Sequence, residues 1–351
     1  MIPVFKPRLP LVDTLLPYLK ELDQNQQYTN NGPLLLRFEE RLADHFKVSA
    51  DQLCTSANGT LALIQMLKSL NLPKGAICAL PSWTFVASVA AVVAAELTPY
   101  FLDVDESTWA LSPDHVLHAL RTTEVRAVLV VAPFGAPIAF EAWEALQAKT
   151  GIPVLIDAAA GFDTFSSCQT TLPFMISLHA TKVFGIGEGA IIVGDSEFIK
   201  RCRSWGQFGF QQDRVAHCAG INAKLSEYAA AVGLAGLDQW GRTRQEWQSL
   251  KNHFLQASAG FDLMPGFEGD WVSCYGQVLT LEKPSVSFET RQWWQGGCHT
   301  HPAYQHYPKM DLSVTEKLAR QCWGVPYWLG LTSSQLTAIF AELRAVQRIS
   351  A

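Results

Sequence analysis

From about Leu34 to Gly236 the chain alternates short apolar runs with segments of helical spacing, and this alternation constrains the fold more than any other feature. The apolar runs cover 77–80, 98–104, 127–132, 154–157, 174–178 and 190–193. Short apolar runs bounded by Gly and Pro read as buried strands. Helical spacing is clear in 38–46 and again in 60–67. Such an order predicts an α/β domain whose mostly parallel sheet is sandwiched by helices. Beyond about Asp238 the order changes to a polar helix over 242–257, a strand-rich stretch around 271–281, and late helices near 314–322 and 333–346. That predicts a smaller α+β domain. We therefore expect a large domain over 1–238 and a small C-terminal domain over 239–351, with 225–240 readable as one long helix joining the two.

At 351 residues the chain is long enough for two domains and a large core. Its formal charge of −5 and pI near 6.0 carry no basic surplus, which weighs against nucleic acid or an anionic membrane as the main partner. The first residues, Met1 to Arg8, lack the apolar core and cleavage site of a secretory signal, so a cytoplasmic protein is expected. The nearly uncharged stretch 77–101 contains Pro81, Glu96 and Pro99 and reads as strand, turn and helix, not as a membrane span. The eight cysteines include no C-x-x-C pair and are expected to be buried, reduced thiols. His299, His301 and His306 lack a cysteine or carboxylate at ligand spacing, so no metal is expected.

Two of the apolar runs end in groups of chemical interest. Ile152-Pro153-Val154-Leu155-Ile156 leads to Asp157, and Phe174-Met175-Ile176-Ser177-Leu178-His179 leads through Ala180-Thr181 to Lys182. Ligands of open α/β sheets collect outside the carboxyl ends of the strands, where both side chains would project. A lysine amine that can form an imine and a carboxylate that can hold a ring nitrogen protonated are what pyridoxal 5'-phosphate chemistry requires. An anion site is also available. Asn58-Gly59-Thr60 precedes a helix whose first amides and dipole favour a phosphate, although a plain N-cap would look the same. Ser177 could add a second phosphate contact, and either Trp83 or Phe85 could lie on the cofactor ring or in the core. Gly185-Ile186-Gly187-Glu188-Gly189-Ala190 leads into an apolar strand rather than a helix, so it fails the test for a dinucleotide loop.

Together with Asp103-Val104-Asp105, Ile156-Asp157-Ala158-Ala159, Tyr28 to Pro33 before the expected first helix, and Asn222-Ala223-Lys224-Leu225-Ser226-Glu227, these motifs resemble the DegT/DnrJ/EryC1/StrS family, sugar aminotransferases of fold type I. His299-Thr300-His301-Pro302-Ala303-Tyr304 extends the resemblance toward the C-terminus, so that it covers essentially the whole chain. It implies Lys182 as the imine-forming lysine and proton shuttle, Asp157 as the partner of the pyridinium, Phe85 as the stacking aromatic, and Asn58, Gly59, Thr60 and Ser177 at the phosphate. It also implies a homodimer with shared active sites, in which Asn222 reaches the phosphate of the neighbouring subunit. Tyr28, Thr29, Asn31, His299 and Tyr304 are candidate substrate-side groups and equally readable as loop and interface residues.

The expected reaction moves an amino group from L-glutamate to a keto group of a nucleotide-linked 4-keto-6-deoxyhexose. The Ser56-Ala57-Asn58-Gly59-Thr60-Leu61-Ala62-Leu63 form favours C4 over C3. Two departures from the family pattern bear on this. Ala160 stands where Gln is common beside the cofactor, and Val131-Ala132-Pro133-Phe134-Gly135 stands where a Val-His-Leu-Tyr-Gly-like stretch is common. Losing that amide removes a hydrogen bond of about 0.5–1.5 kcal/mol net, enough to shift substrate preference while cofactor binding survives. The alternatives are a catalytically limited, cofactor-binding regulatory protein on the same scaffold, and an aminotransferase for a different keto-sugar.

Overall fold

A computed structural model of the chain describes residues 1–211, 213–280 and 283–350, with side chains as far as 346. The N-terminal half runs α1 (Val12–Asn25), α2 (Pro33–Phe46), β1 (Leu53–Ser56), α3 (Gly59–Lys68), β2 (Ile77–Pro81), α4 (Val86–Ala94) and β3 (Thr98–Leu102). It continues through α5 (Pro113–Ala119), β4 (Val125–Val131), α6 (Phe140–Thr150), β5 (Val154–Asp157), β6 (Phe174–Ser177), β7 (Ala190–Val193) and α7 (Ser196–Gly206). The long helix α8 (Glu227–Ala257) leads to β8 (Gly276–Leu279), α9 (Ser313–Gln321), β9 (Cys322–Val325) and α10 (Ser333–Ser350).

Strands β1 to β7 form one sheet in the order β1-β7-β6-β5-β4-β2-β3, in which only β7 runs against its neighbours. Side chains alternate across it with period two. Val128, Val130, Val154, Ile156, Phe174 and Ile176 enter the core cluster shared with α2 and α8. Ala127, Leu129, Leu155 and Met175 enter the opposite cluster, shared with α3, α4 and α7. Helices thus cover both faces, as fold type I requires. By the same parity Asp157 follows Leu155, and Ser177 follows Met175, toward the α3 and α4 side. A separate antiparallel pair, β8 with β9, forms the second sheet.

Several elements differ from the sequence expectation. Residues 28–33 do not precede the first helix, because α1 lies before them. The polar helix and the joining helix are one element, α8, so the expected division at 238/239 falls within a continuous helix. Strand β3 stops at Leu102 because the Asp103 carboxylate takes the Val104 amide for itself, at 2.9 Å. Among the described residues of the expected strand-rich stretch, only β8 pairs. The preceding backbone is held by side chains instead: Asp163 Oδ2 accepts from the Val272 amide at 2.9 Å, Lys251 Nζ donates to the Trp271 carbonyl at 2.6 Å, and Ser273 Oγ accepts from the Tyr275 amide at 3.1 Å. Leu281, the last residue of that stretch, lies outside the described residues. β1 carries no apolar run of its own and exists as a strand through pairing with β7.

Two helices that lack a local side-chain cap receive one from a distant acid. The N-terminus of α2 begins Gly32-Pro33, and the buried Glu227 carboxylate accepts from the amides of Leu34 and Leu35, each at 2.9 Å. At α9, Asp103 accepts from the amides of Val314 and Thr315, each at 2.8 Å, and from the Thr315 hydroxyl at 2.7 Å. A carboxylate at a helix N-terminus satisfies orphan donors and meets the positive end of the dipole. Gly32 is required by this arrangement, since a Cβ there would lie 2.6 Å from the Glu227 carboxyl carbon.

Glu227→Ala, which strands two buried amides, is expected to lower stability by about 1–3 kcal/mol for each group left unsatisfied. Gly32→Ala, which drives a methyl into the carboxylate, is expected to cost about 1–3 kcal/mol. Urea unfolding followed by circular dichroism checks both, and wild-type midpoints in either variant would refute the distant cap.

Candidate active site

The reversed strand β7 organises the site. Ser56 pairs with Ala190, and Ala190 pairs in turn with Ser177, so the end of β1, the start of β7 and the end of β6 lie in one row at one edge of the sheet. Helix α3 starts three residues after Ser56, so its N-terminus sits over that edge. A Cβ placed on Gly59 would be 3.5 Å from the Cβ of Ser177. Asn58 caps the helix by accepting from the Leu61 amide at 2.9 Å. The amides of Gly59 and Thr60 have no partner among the described residues, and with the hydroxyls of Thr60 and Ser177 they form a donor set suited to a phosphate.

Asp157 ends β5 at the same edge and is 5% exposed. Its Oδ2 accepts from the Ser88 hydroxyl at 2.7 Å and its Oδ1 from the Ala159 amide at 3.1 Å. Thr84 Oγ1 lies 2.8 Å from Ser88 Oγ; because the Ser88 proton is committed to Asp157, Thr84 is the donor of this pair. Burial pushes the Asp157 carboxyl above the usual carboxylate range, while Ser88, the Ala159 amide and the Lys182 charge pull it back. Each oxygen keeps a free lone pair with which it could accept a further donor.

Lys182 lies in the loop joining β6 to β7. That loop is closed by hydrogen bonds from the Ala180 amide to the Gly187 carbonyl at 2.8 Å and from the Lys182 amide to the His179 carbonyl at 2.9 Å. Gly185 packs so closely on Ala180 that a Cβ would fall 2.9 Å from its Cα. The glycine run is therefore a turn behind the lysine, and it opens into β7. Lys182 Nζ donates to the Tyr275 hydroxyl at 2.9 Å. Burial would push this ammonium down, but Tyr275, Cys274 and Asp157 outweigh it and hold the group above the ordinary lysine value.

The remaining candidates divide by position. Trp83 is core, edge-on to Trp294 at 4.9 Å, whereas Phe85, at the start of α4, is 57% exposed and free to present its ring. Asn222 is exposed, with its Oδ1 accepting from Lys224 Nζ at 2.7 Å; the next carbonyl, of Ala223, accepts from the Ala57 amide at 2.7 Å. Tyr28 stacks on Tyr228 at 6.1 Å, both exposed, and Thr29 is exposed beside it. Asn30 and Asn31 both adopt left-handed backbone, at φ 62° and 58°, which Asn tolerates better than most residues. His299 is buried: its Nδ1 is 2.8 Å from Ser82 Oγ and its amide donates to the same oxygen at 3.1 Å, so it fastens the C-terminal segment to the end of β2. Burial lowers its pKa. Tyr304 is half-buried against the core on the α3 and α4 side.

Ala160 and Gly135, from the two stretches that depart from the family pattern, touch one another. A Cβ on Gly135, which has φ +88°, would lie 2.5 Å from the Ala160 carbonyl oxygen. Phe134, also left-handed at φ 53°, stacks on Trp294 at 4.1 Å and meets the edge of Tyr275 at 5.3 Å. Sequence reasoning missed Ser88 and Tyr275. The four-residue spacing of Thr84 and Ser88 is a usable signal once α4 is known to start there, but nothing local marks Tyr275. Among the described residues, no helix is long and apolar enough to cross a membrane.

The residues present fit pyridoxal phosphate: a phosphate-sized donor set, a buried carboxylate and a lysine lie around one sheet edge. Comparison with known proteins agrees. The model of the DegT/DnrJ/EryC1/StrS aminotransferase family matches residues 11–344. A dTDP-4-amino-4,6-dideoxy-D-glucose transaminase of Shigella dysenteriae is 33% identical over 67% of this chain and 65% of its own length. A UDP-2-acetamido-2-deoxy-3-oxo-D-glucuronate aminotransferase of Pseudomonas aeruginosa is 29% identical over 89% of this chain and 90% of its own. The structure of DesI determined in the presence of its TDP-sugar product superposes with a TM-score of 0.87 at 26% identity, covering 98% of this chain and 92% of that one. The chain spans just under two thirds of the Shigella relative and nearly all of the other two. Its site, its fold and the match across almost its whole length place it in the DegT/DnrJ/EryC1/StrS family of pyridoxal-phosphate-dependent aminotransferases.

Proposed function

We propose that this protein transfers the amino group of L-glutamate to the keto group of a nucleotide-linked 4-keto-6-deoxyhexose, at C4 in preference to C3. The observation that carries the reading is the meeting of Lys182, Asp157 and the α3 N-terminus at one sheet edge. The 4-amino sugar in the name of the Shigella relative supports C4, and the 3-oxo sugar in the name of the Pseudomonas relative is the competing chemistry. Residues 1–238 serve as the cofactor-binding domain and 239–351 as the small domain, linked through α8.

Bound pyridoxal phosphate supplies an electron sink for the carbon that exchanges its amino group. The chain does the rest. Gly59, Thr60 and Ser177 hold the phosphate with amides and hydroxyls, and Asn58 keeps that helix end in register. Asp157 would keep the ring nitrogen of the bound group protonated. Phe85 would cover one ring face, and the Lys182 amine would accept the proton that leaves the substrate carbon and hold it for return to the reacting atoms. A second copy of the chain would complete the site: its Asn222 would reach the neighbouring phosphate, and Tyr28, Phe85, Phe208 and Tyr228, all exposed in the single chain, are apolar surface that it would cover. Thr29, Asn31 and Tyr304 face the sugar nucleotide, while His299 supports the loop that carries Phe85.

The test mixes protein loaded with pyridoxal phosphate with L-glutamate and follows the visible cofactor absorbance, with Lys182→Ala as control. Bleaching in wild type alone, with release of 2-oxoglutarate, is expected, followed by turnover on 4-keto rather than 3-keto sugar nucleotides. Cofactor binding without bleaching by any amino donor would favour the regulatory alternative.

Ser88→Ala should weaken cofactor binding about two- to tenfold, the worth of one lost hydrogen bond. Removing a donor to the charged carboxylate raises the Asp157 pKa further, so the acid limb of the binding profile should move to higher pH. Titration of cofactor binding against pH checks both, and an unmoved limb would show that Ser88 does not tune Asp157.

A further inference from the structure

On the reading of Lys182 as the reacting lysine, its amine would be free for part of each turnover and would then need a defined position. Among the described residues no carboxylate is ion-paired with Lys182 Nζ, and the hydrogen bonds that Asp157 accepts come from Ser88 and Ala159. Among the described residues, Nζ hydrogen-bonds to Tyr275, 93 positions further along the chain. The contact is with the hydroxyl, not the ring face: Nζ is 2.9 Å from the oxygen but 5.2 Å from the ring centroid.

Tyr275 is held from several sides. Its amide donates to Ser273 Oγ at 3.1 Å, and that hydroxyl donates in turn to the Phe134 carbonyl at 2.9 Å. Its ring meets Phe134 edge-on at 5.3 Å and Trp293 at 5.1 Å. Phe134 is itself fixed by a left-handed backbone and by stacking on Trp294. A side chain seated in this way loses little further freedom when its hydroxyl is used, so the bond it makes is pre-organised.

We propose that Tyr275 is a positioning residue that holds the free amine of Lys182 through its hydroxyl and sets how readily that amine reacts with a carbonyl. This inference rests on the reading of Lys182 as the reacting lysine. A phenol suits the task because it accepts from the ammonium and donates to the neutral amine, following either protonation state without adding charge. A carboxylate in its place would trap the ammonium more strongly. The charged and titratable groups facing Lys182 are Tyr275 and Cys274, from the segment before β8, and Asp157, from β5.

The experiment uses the full-length protein freed of cofactor. Formaldehyde with cyanoborohydride methylates amines in proportion to their neutral fraction, and the Lys182 peptide is followed by mass spectrometry from pH 6 to 10, a range spanning about four units below and around the usual lysine value. In Tyr275→Phe the ammonium loses its acceptor, so the Lys182 profile should move to lower pH, with labelling on its acid side about two- to tenfold faster. The other lysines report on the fold and should not change. Ser273→Ala keeps the phenol but frees its segment, and should shift the profile in the same direction by less; it decides the question if Tyr275→Phe does not fold. An unmoved profile, or one displaced to higher pH, overturns the proposal. Because the probe needs neither cofactor nor glutamate, a shifted profile in a protein that glutamate fails to bleach would sink the aminotransferase reading alone.

Discussion

One strand direction governs the site. Had β7 run parallel to β6, its first residue would lie at the far end of the sheet, and the connection from Ser177 would have to cross the whole layer. Because it is antiparallel, the chain turns back within the span from Leu178 to Gly189, and Lys182 stays at the edge where β6 ended. The same reversal makes β1 parallel to β6, so the loop from Ser56 to Asn58 emerges at that edge too and delivers the positive end of α3 beside Ser177. The parity of the pleat does the rest, turning Asp157 and Ser177 toward the α3 and α4 face where Ser88 and Gly59 wait.

Buried acids fasten the remaining segments around this edge. Glu227 and Asp103 cap helices far from them in sequence, and Glu39 accepts from the Thr55 amide and hydroxyl while pairing with Arg203 at 2.8 Å. Asp163 pairs with Arg244 of α8 at 2.7 Å and also accepts from the Val272 amide. A buried carboxylate is tolerated only when its lone pairs are matched by donors, and each of these acids has at least two. Asp163 also bears on the candidate site: by holding Val272 it fixes the unpaired stretch that ends in Tyr275, and so connects the C-terminal part of the chain to Lys182.

Much of the layout was legible before any coordinates. The six apolar runs correspond to β2 through β7 because strands buried on both faces must be apolar along their length. Asp157 and Lys182 stood out because a carboxylate ends one apolar run and a lysine closely follows another. β1 was invisible, since Leu-Cys-Thr-Ser is too short and too mixed to register until β7 pairs with it. The stretch 271–275 misled for the opposite reason: its composition suits a strand, but its backbone donors and acceptors are taken by Asp163, Lys251 and Ser273. The choice between Trp83 and Phe85 also needed the fold, because both are aromatic and only two positions apart, and only the tertiary structure packs one against Trp294 and leaves the other exposed.

What the sequence by itself determined is periodic or local: the α/β class, the capped start of α3, the lysine and carboxylate at two strand ends, and the order of motifs that marks the family. These follow from repeating burial on a pleat or a helix face, which neighbouring residues encode together. What only the tertiary structure decided is the company those residues keep. Ser88 on Asp157, Tyr275 on Lys182, Glu227 on α2 and the contact of Gly135 with Ala160 all join segments that meet only when the sheet twists and the helices pack across it. Such contacts depend on distances in space between positions far apart in the chain, and no local pattern carries that information.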